Sequence, residues 1–548
     1  MTRDEINELL KDSKITDQML MTRYEKRYSD LSTLKNPYLR IYDEIAVMGD
    51  PRNAYFRTQN AAGSLSHLVA KTDDTLQASL PVHCAVMNSL LTPAAYVWHQ
   101  MRFADGDAQE AYGTELSIQN DFIYKKRYSA GSNFVCAINT IYMNNALYGW
   151  YVLEVTKDIT KKQVCYRALP ISEFVIDQNE RGFIDTFYRK VKFTYRQLRQ
   201  RFPDYVPKSA AKLVNDQDPW AWLNREVELL HVVEPSLEEP NKFDSVYIDM
   251  TEKAIIDKTV ESHCKYIAGR AGTFSNTNDP YGFSPVMSVM PSTKNLNAVS
   301  FDIIKAVHHA QRFDLLAGED VVNPRNYPDV TSIIQGGIDS DGRPQVGVLN
   351  QRDMPTLDYI ITDWRKRIKD ALFVDLFISL QDTQSRSATD AMLKANERAN
   401  IIAPMGDRLA RELLQPLIEL ELAYYADMGV LPKFPKEAGG QEFHIVLDNP
   451  MMRGQRLDSA NAIANMAATM TTAMQLDTEF NMDRTKQYLA ESYNIPLNIL
   501  NTDEEKQSIV QERQQQAEMQ MMLENAGNVG SAIKNVADAT APAKEPAK

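Results

Sequence analysis

The sequence predicts an α+β protein. Two observations carry this. Apolar residues recur every three or four positions over 295–316 and again over 355–380, which is the signature of long one-sided helices. Between about 150 and 290 the pattern changes to short β-branched and aromatic runs separated by turn residues. Segregated helices and strands of this kind belong to the α+β class.

The 548 residues suffice for two to four domains with real cores. Apolar content of 44% and charged content of 24% are ordinary for a soluble protein. The net charge of −13 argues against tight wrapping of nucleic acid, which needs a local excess of Lys and Arg. It leaves open a channel through which DNA slides. Cys84, Cys136, Cys165 and Cys264 are far apart and form no CxxC pair, so each is expected to be a buried, reduced thiol. The first residues, MTRDEINELLKDSK, lack the apolar core of a signal peptide. No run approaches the ~18 apolar residues of a membrane span.

In chain order, a first helix is expected over Thr2–Lys14, followed by a Tyr-rich helical stretch with Tyr24, Tyr28, Tyr38 and Tyr42. Thr92-Pro93 stops a helix and Trp98 lies in an extended segment. Residues 106–149 read as helices broken near Gly131. Strands are expected at Tyr151–Val155, Phe183–Phe193, Val227–Val233 and Val246–Met250, with a short basic helix over Tyr195–Phe202. The next helix, Asn295–Leu316, carries Leu296, Val299, Ile303, Val307, Ala310 and Phe313 on one side. A returning helix, 355–380, repeats the stripe with Leu357, Ile361, Trp364, Ile368, Leu372 and Leu376.

Between these helices, Val330–Ile334 and Gln345–Leu349 are β-rich and flank Asp341-Gly342, a hairpin signal. After a polar stretch, Ser387 opens a third helix with a box-like cap at Asp390. It runs to about Asp427 and is expected to kink at Pro404 and Pro416. Glu442–Leu447 is one more strand. Arg456–Met474, Arg484–Ser492 and Lys506–Glu524 read as helices, and 525–548 as a disordered tail.

No motif for catalysis, a cofactor or a metal emerges: Walker A, GxGxxG, HExxH, GxSxG and CxxC are all missing. Asp339-Ser340-Asp341-Gly342 lacks the first Asp and terminal Glu of a calcium loop and reads as a turn. His308 and His309 point apart on a helix and read as a solvated face, as do Glu238-Glu239. His83 and Cys84 read as core packing. The cations placed to meet a phosphate backbone are Lys305, Arg312, Arg365, Lys369 and Arg386, each also able to pair with a nearby acid. Asp363 and Asp370 sit within reach of Arg367 and Lys366. Lys125-Lys126-Arg127 is the densest basic cluster and reads as a solvated helix end.

Four segments then carry a resemblance: LLTPAAYVW (90–98), DQNERGFIDTFYRKVKFTYRQLRQRF (177–202), DPYGFSPVMSVMPSTKNLN (279–297) and SRSATDAMLKANER (385–398). In this order and spacing they resemble the head-to-tail connecting, or portal, proteins of short-tailed bacteriophages, over roughly 30–500. The resemblance implies a portal fold. Its parts are an α/β wing (1–294), stem helices (295–319 and 355–380), a β-containing clip (320–354), a tunnel loop (381–387), a long kinked wing helix with a following strand (388–452), a helical crown (453–500) and a tail (501–548).

It implies a ring, usually of twelve subunits, at one capsid vertex of the virion, assembled in the host cytoplasm. Double-stranded DNA would pass through non-specifically, meeting Gln381, Gln384, Ser385 and Arg386 of the tunnel loop together with Lys305, Arg312, Arg365 and Lys369. The tip, with Arg325, Asp339, Asp341 and Arg343, would dock the terminase large subunit and later tail adaptor and nozzle proteins. Major capsid and scaffolding proteins are further implied partners. No membrane, metal or cofactor is implied, and ATP hydrolysis would belong to the terminase. Two other readings stand beside it: a metal-dependent nuclease built from scattered carboxylates, and another virion structural or tail adaptor protein.

Overall fold

The computed structural model describes residues 17–50, 56, 72–95, 97–208, 221–273, 279–311, 315–317, 340, 341, 343, 346–348, 357–374, 404–432 and 442–447. The chain divides into two compact units, Met1–Gln455 and Arg456–Lys548, and every described residue belongs to the first. The expected helices at Thr2–Lys14, 456–474, 484–492 and 506–524, the strand at Val330–Ile334, the helix start at Ser387 and the tail lie outside the described residues.

The elements run α1 (Asp17–Gly49), α2 (Thr75–Leu91), β1 (His99–Phe103), α3 (Gly106–Arg127), α4 (Phe134–Tyr148), β2 (Trp150–Asp158), β3 (Gln163–Leu169), β4 (Phe174–Gln178), β5 (Ile184–Thr194), α5 (Tyr195–Arg201), β6 (Glu226–Pro235), β7 (Phe243–Asp249), β8 (Ala254–Glu261) and β9 (Tyr266–Arg270). Then come α6 (Pro285–Gln311), β10 (Leu315–Ala317), β11 (Val346–Val348), α7 (Leu357–Ala371), α8 (residues 404–427) and β12 (Phe443–Leu447).

β2 is the middle of a three-stranded sheet, β3-β2-β9, and both its faces are buried. Because side chains alternate along a strand, Tyr151, Leu153 and Val155 enter one core, with α2, α3, α4 and α8. Trp150 and Val152 enter a second, with α1, α6 and α7. A five-stranded antiparallel meander, β4-β5-β6-β7-β8, stands beside it. α1 covers one face of the meander, where Met21, Tyr24 and Leu31 meet Tyr188, Leu230 and Val246. On the meander, α5 opens with a capping box in which the Thr194 hydroxyl accepts from the Gln197 N–H and the Gln197 side chain accepts from the Thr194 N–H.

Lys35 of α1 is fully buried. Its ammonium donates to the carbonyls of Ile171 and Phe174, both at 2.7 Å, and lies over the Trp150 ring. Burial pushes it down to about 7. The unfolded chain keeps this proton to about 10.5, so unfolding takes up a proton between the two values. Stability is therefore expected to rise with pH from about 7 to about 10.5. Thermal melts across that window check this, and a slope that survives Lys35→Met would assign it elsewhere.

Four expectations are corrected. The first long helix begins at Pro285, ten residues early, and residues 315–317 are strand, not helix. β11 pairs with this strand, Leu315 opposite Val348. The expected partner of 345–349, Val330–Ile334, is not described. The second long helix is interrupted after Ala371, because Phe373 takes a left-handed φ of 58° with its N–H on the Asp370 carbonyl; Val374 is helical again and 375–380 lie outside the described residues. Phe373 stacks on the His83 ring, and His83 Nδ1 lies 2.9 Å from the Leu372 carbonyl, which fixes the turn in place. Cys84 is buried, but Cys136 is exposed and Cys165 and Cys264 are partly exposed.

α8 is interrupted by a π-turn at Ala410–Leu414, in which the Gln415 N–H reaches the Ala410 carbonyl. The sequence explains it. Leu409, Leu413, Leu417, Glu421 and Tyr425 are all fully buried and recur every fourth residue. A regular helix would let such a row drift by about 40° per repeat, and one widened turn restores most of it. Pro416, which lacks the N–H a regular helix would aim at Glu412, sits just after the turn.

Candidate functional site

The paired helices α6 and α7 pack against each other and root in the second core through Val286, Val289, Met290, Leu296, Ile368 and Leu372. Toward the far end of α6 the burial stops. Phe301 is 48%, Ile304 44% and Val307 52% exposed, and on α7 Tyr359 is 76% exposed. Among the described residues nothing covers this apolar face. The expected stripe contained Val307 but missed Phe301 and Ile304. Their i, i+3 spacing beside an existing stripe was the available signal of an unusually wide apolar face.

The cations expected near DNA are placed as follows. Lys305 is exposed on α6, its ammonium 4.2 Å from the centre of the Phe301 ring. Arg365 is paired: its guanidinium lies 2.8 Å from Asp73, whose side chain is 5% exposed. Burial would raise the Asp73 carboxyl, but hydrogen bonds from Thr75 and Arg365 hold it below its ordinary value. Arg365 thus ties α7 to the segment preceding α2. Lys369 is partly exposed on α7. Asp363 pairs with Arg367 at 2.7 Å, as its spacing implied. Of the residues expected at the tip, Asp341 and Arg343 are exposed. Arg312, Arg325, Asp339, Gln381, Gln384, Ser385 and Arg386 lie outside the described residues.

The Lys125-Lys126-Arg127 cluster requires correction. Arg127 has no exposed surface and forms a buried ion pair with Glu421 of α8, its Nε 2.9 Å from the carboxylate. The Tyr166 hydroxyl donates to the same carboxylate at 2.5 Å. The guanidinium carbon lies 4.7 Å from the centre of the Trp98 ring. Burial opposes the charge on Arg127, and Glu421 more than compensates. His99 lies against the pair and is held neutral by burial and by that cation. This network joins β1, α3, β3 and α8.

A cleft of about 570 Å³, with several charged residues in its lining, opens beside α8. One wall is the β4–β5 turn with Arg181 and Phe183, and the other is the α8 face with Asp407, Arg408 and Arg411. Arg270 and Glu412 form its floor. Glu412 accepts from the Arg270 backbone N–H at 2.7 Å and lies 3.7 Å from both the Arg270 and Arg408 guanidiniums. Burial raises the Glu412 carboxyl above its ordinary value. Among the described residues no group of three His, Cys, Asp or Glu is arranged to hold a metal ion. No described helix is long and apolar enough to cross a membrane.

A family model described as "Bacteriophage head to tail connecting protein" matches residues 21–500. The chain is 22% identical over 521 residues to a protein of Bordetella phage BPP-1 named "Probable portal protein", covering 91% of this chain and 93% of that one. It is 23% identical over 531 residues to the "Portal protein" of Salmonella phage epsilon15, with the same coverage of 91% and 93%.

Proposed function

The chain belongs to the bacteriophage head to tail connecting protein family, and from that premise we propose that it is a portal subunit closing into a ring at one capsid vertex. The ring is the conduit for double-stranded DNA in packaging and ejection. It docks the terminase large subunit first and tail adaptor and nozzle proteins afterwards, and meets capsid and scaffolding proteins at its rim. The chain performs no catalysis of its own; the terminase supplies the ATP hydrolysis. Its place is the virion, reached from the host cytoplasm.

The match over 21–500 carries this reading, supported by two relatives with portal names aligned over nearly their whole length. The apolar face of α6 that no described residue covers adds a physical reason: Phe301, Ile304 and Val307 are open to a neighbour, and a head-to-tail contact between copies closes into a ring.

Native mass spectrometry with negative-stain averaging tests it. Wild-type protein is expected to form closed rings of about twelve copies with an axial hole. Phe301→Glu with Ile304→Glu is expected to block rings while changing subunit stability by only about 0.5 kcal/mol per site, because both side chains are exposed. Rings that form normally in that variant would remove this face from the contact. A small dimer with metal-dependent nuclease activity would overturn the portal reading itself.

A further inference from the structure

Between Asp185 and Asp204 the chain carries Arg189, Lys190, Lys192, Arg196, Arg199 and Arg201 and no carboxylate, although its net charge is −13. The structure sorts these cations into two sets. Arg189 pairs with Glu173 at 2.8 Å, and Lys190 and Lys192 share Glu228 at 2.9 and 3.8 Å. The three arginines of α5 form no ion pair among the described residues. Tyr195 and Leu198 of that helix are buried in a small cluster with Trp222, Val227 and Leu229. Its exposed residues are Arg196, Gln197, Arg199, Gln200 and Arg201, so every exposed residue of α5 is Arg or Gln.

Arg225 joins them. It is exposed, and its carbonyl accepts from the Tyr195 N–H at 3.0 Å, which sets it at the start of α5. The Arg199 guanidinium carbon lies 5.8 Å from the centre of the Trp222 ring. That of Arg201 lies 4.7 Å from the centre of the Tyr247 ring, and Arg201 donates to the Tyr247 hydroxyl. A guanidinium has five N–H donors, so both arginines are held over a ring with donors to spare. Of the two flanking carboxylates in sequence, Asp204 and Glu226, strand alternation puts Glu226 on the face opposite Val227, which packs under α5.

We propose that this corner, Arg196, Arg199, Arg201 and Arg225, is a docking surface for the phosphate backbone of duplex DNA outside the channel, held without regard to base sequence. A phosphate backbone asks only for positive charge and hydrogen-bond donors. A protein partner is held mainly by aromatic or aliphatic anchors, and α5 keeps its own in the core beneath it. The cluster under α5 contains no residue of the helix pair α6 and α7, which carries the cations expected in the channel. The choice of duplex DNA as the polyanion rests on the portal reading. The surface goes beyond that reading, which brings DNA only to the channel.

Binding of a relaxed closed-circular duplex to the full-length protein tests this, because a closed circle cannot thread a closed ring. Affinity is followed by gel shift between about 50 and about 200 mM salt, where each phosphate contact adds about 0.9 to the slope of log affinity against log salt. Arg196→Gln, Arg199→Gln and Arg225→Gln together are expected to flatten the slope by about 2.7 and to weaken low-salt binding by more than about tenfold. The same three positions changed to Lys keep the charge and are expected to hold the wild-type slope. All three side chains are exposed, so both variants are expected to melt with the wild type.

An unchanged slope in the Gln variant, or no binding of the circle at the low-salt end, would overturn the surface. Retention of poly-glutamate but not of the circle would overturn duplex DNA as its occupant. Rings that form while the slope fails to respond would overturn this surface alone. Subunits that never close into rings, yet lose the slope in the Gln variant, would overturn the portal reading alone.

Discussion

Arg127→Met is expected to destabilise the protein by about 3–5 kcal/mol, the cost of breaking one side of a buried ion pair. The substitution keeps most of the apolar stem but leaves the Glu421 carboxylate, which has no exposed surface, with Tyr166 as its remaining donor among the described residues. Since the network joins four elements, the loss is expected across the whole first core, with a large fall in melting temperature and poor recovery of soluble protein. Arg127→Met combined with Glu421→Leu removes both charges and is expected to regain most of the stability. Thermal and urea unfolding of the single and double variants decide this. A single variant as stable as wild type would mean that the pair contributes little.

The second large effect is expected at Gly149, which ends α4 and starts β2. Its φ of 80° is left-handed, and a Cβ there would come within 2.5 Å of the Gly282 carbonyl oxygen and 2.7 Å of its carbon. Those atoms are backbone, fixed by the Thr273–Gly282 bridge and by the Phe283 N–H, which donates to the Gly272 carbonyl at 3.0 Å. They have no rotamer with which to retreat. Gly149→Ala therefore incurs about 1–2 kcal/mol for the backbone conformation and about 1–3 kcal/mol more for overpacking. Gly429 is the control: its φ is 63°, but nothing lies within 4 Å of its Cβ position. Gly429→Ala is expected to show only the backbone part. Equal melting temperatures for the two variants would refute the steric argument.

Much of the body was legible because its elements follow local rules. β2, β5, β6 and β7 are rich in branched and aromatic residues and fall where the sequence predicts strands. The break between α3 and α4 and the stop after Leu91 follow Gly131 and Pro93. β3, β8 and β9 were not legible, since QVCYRAL, AIIDKTVE and YIAGR carry charges or glycine and become strands through their partners. The end of α7 hid in an apolar run, because its left-handed residue is a phenylalanine rather than a glycine. Arg127 looked solvated because its two neighbours are lysines and its partner lies 294 positions away. Of the candidate site, the helix pair was readable from period alone. The pairing of Arg365 with Asp73 was not, since it depends on where α2 docks.

β1 and β12, which pair His99 with Leu447 through Phe103 with Phe443, set a timetable for synthesis. At about 5–20 residues per second, a ribosome that has just made Arg127 needs roughly 15–60 s to reach Glu421. During that interval β1 has an open edge, Arg127 lacks its carboxylate, and the first core lacks α8. The first core therefore stays incomplete for that interval, and a fragment ending before Phe443 would keep β1 without its β12 partner.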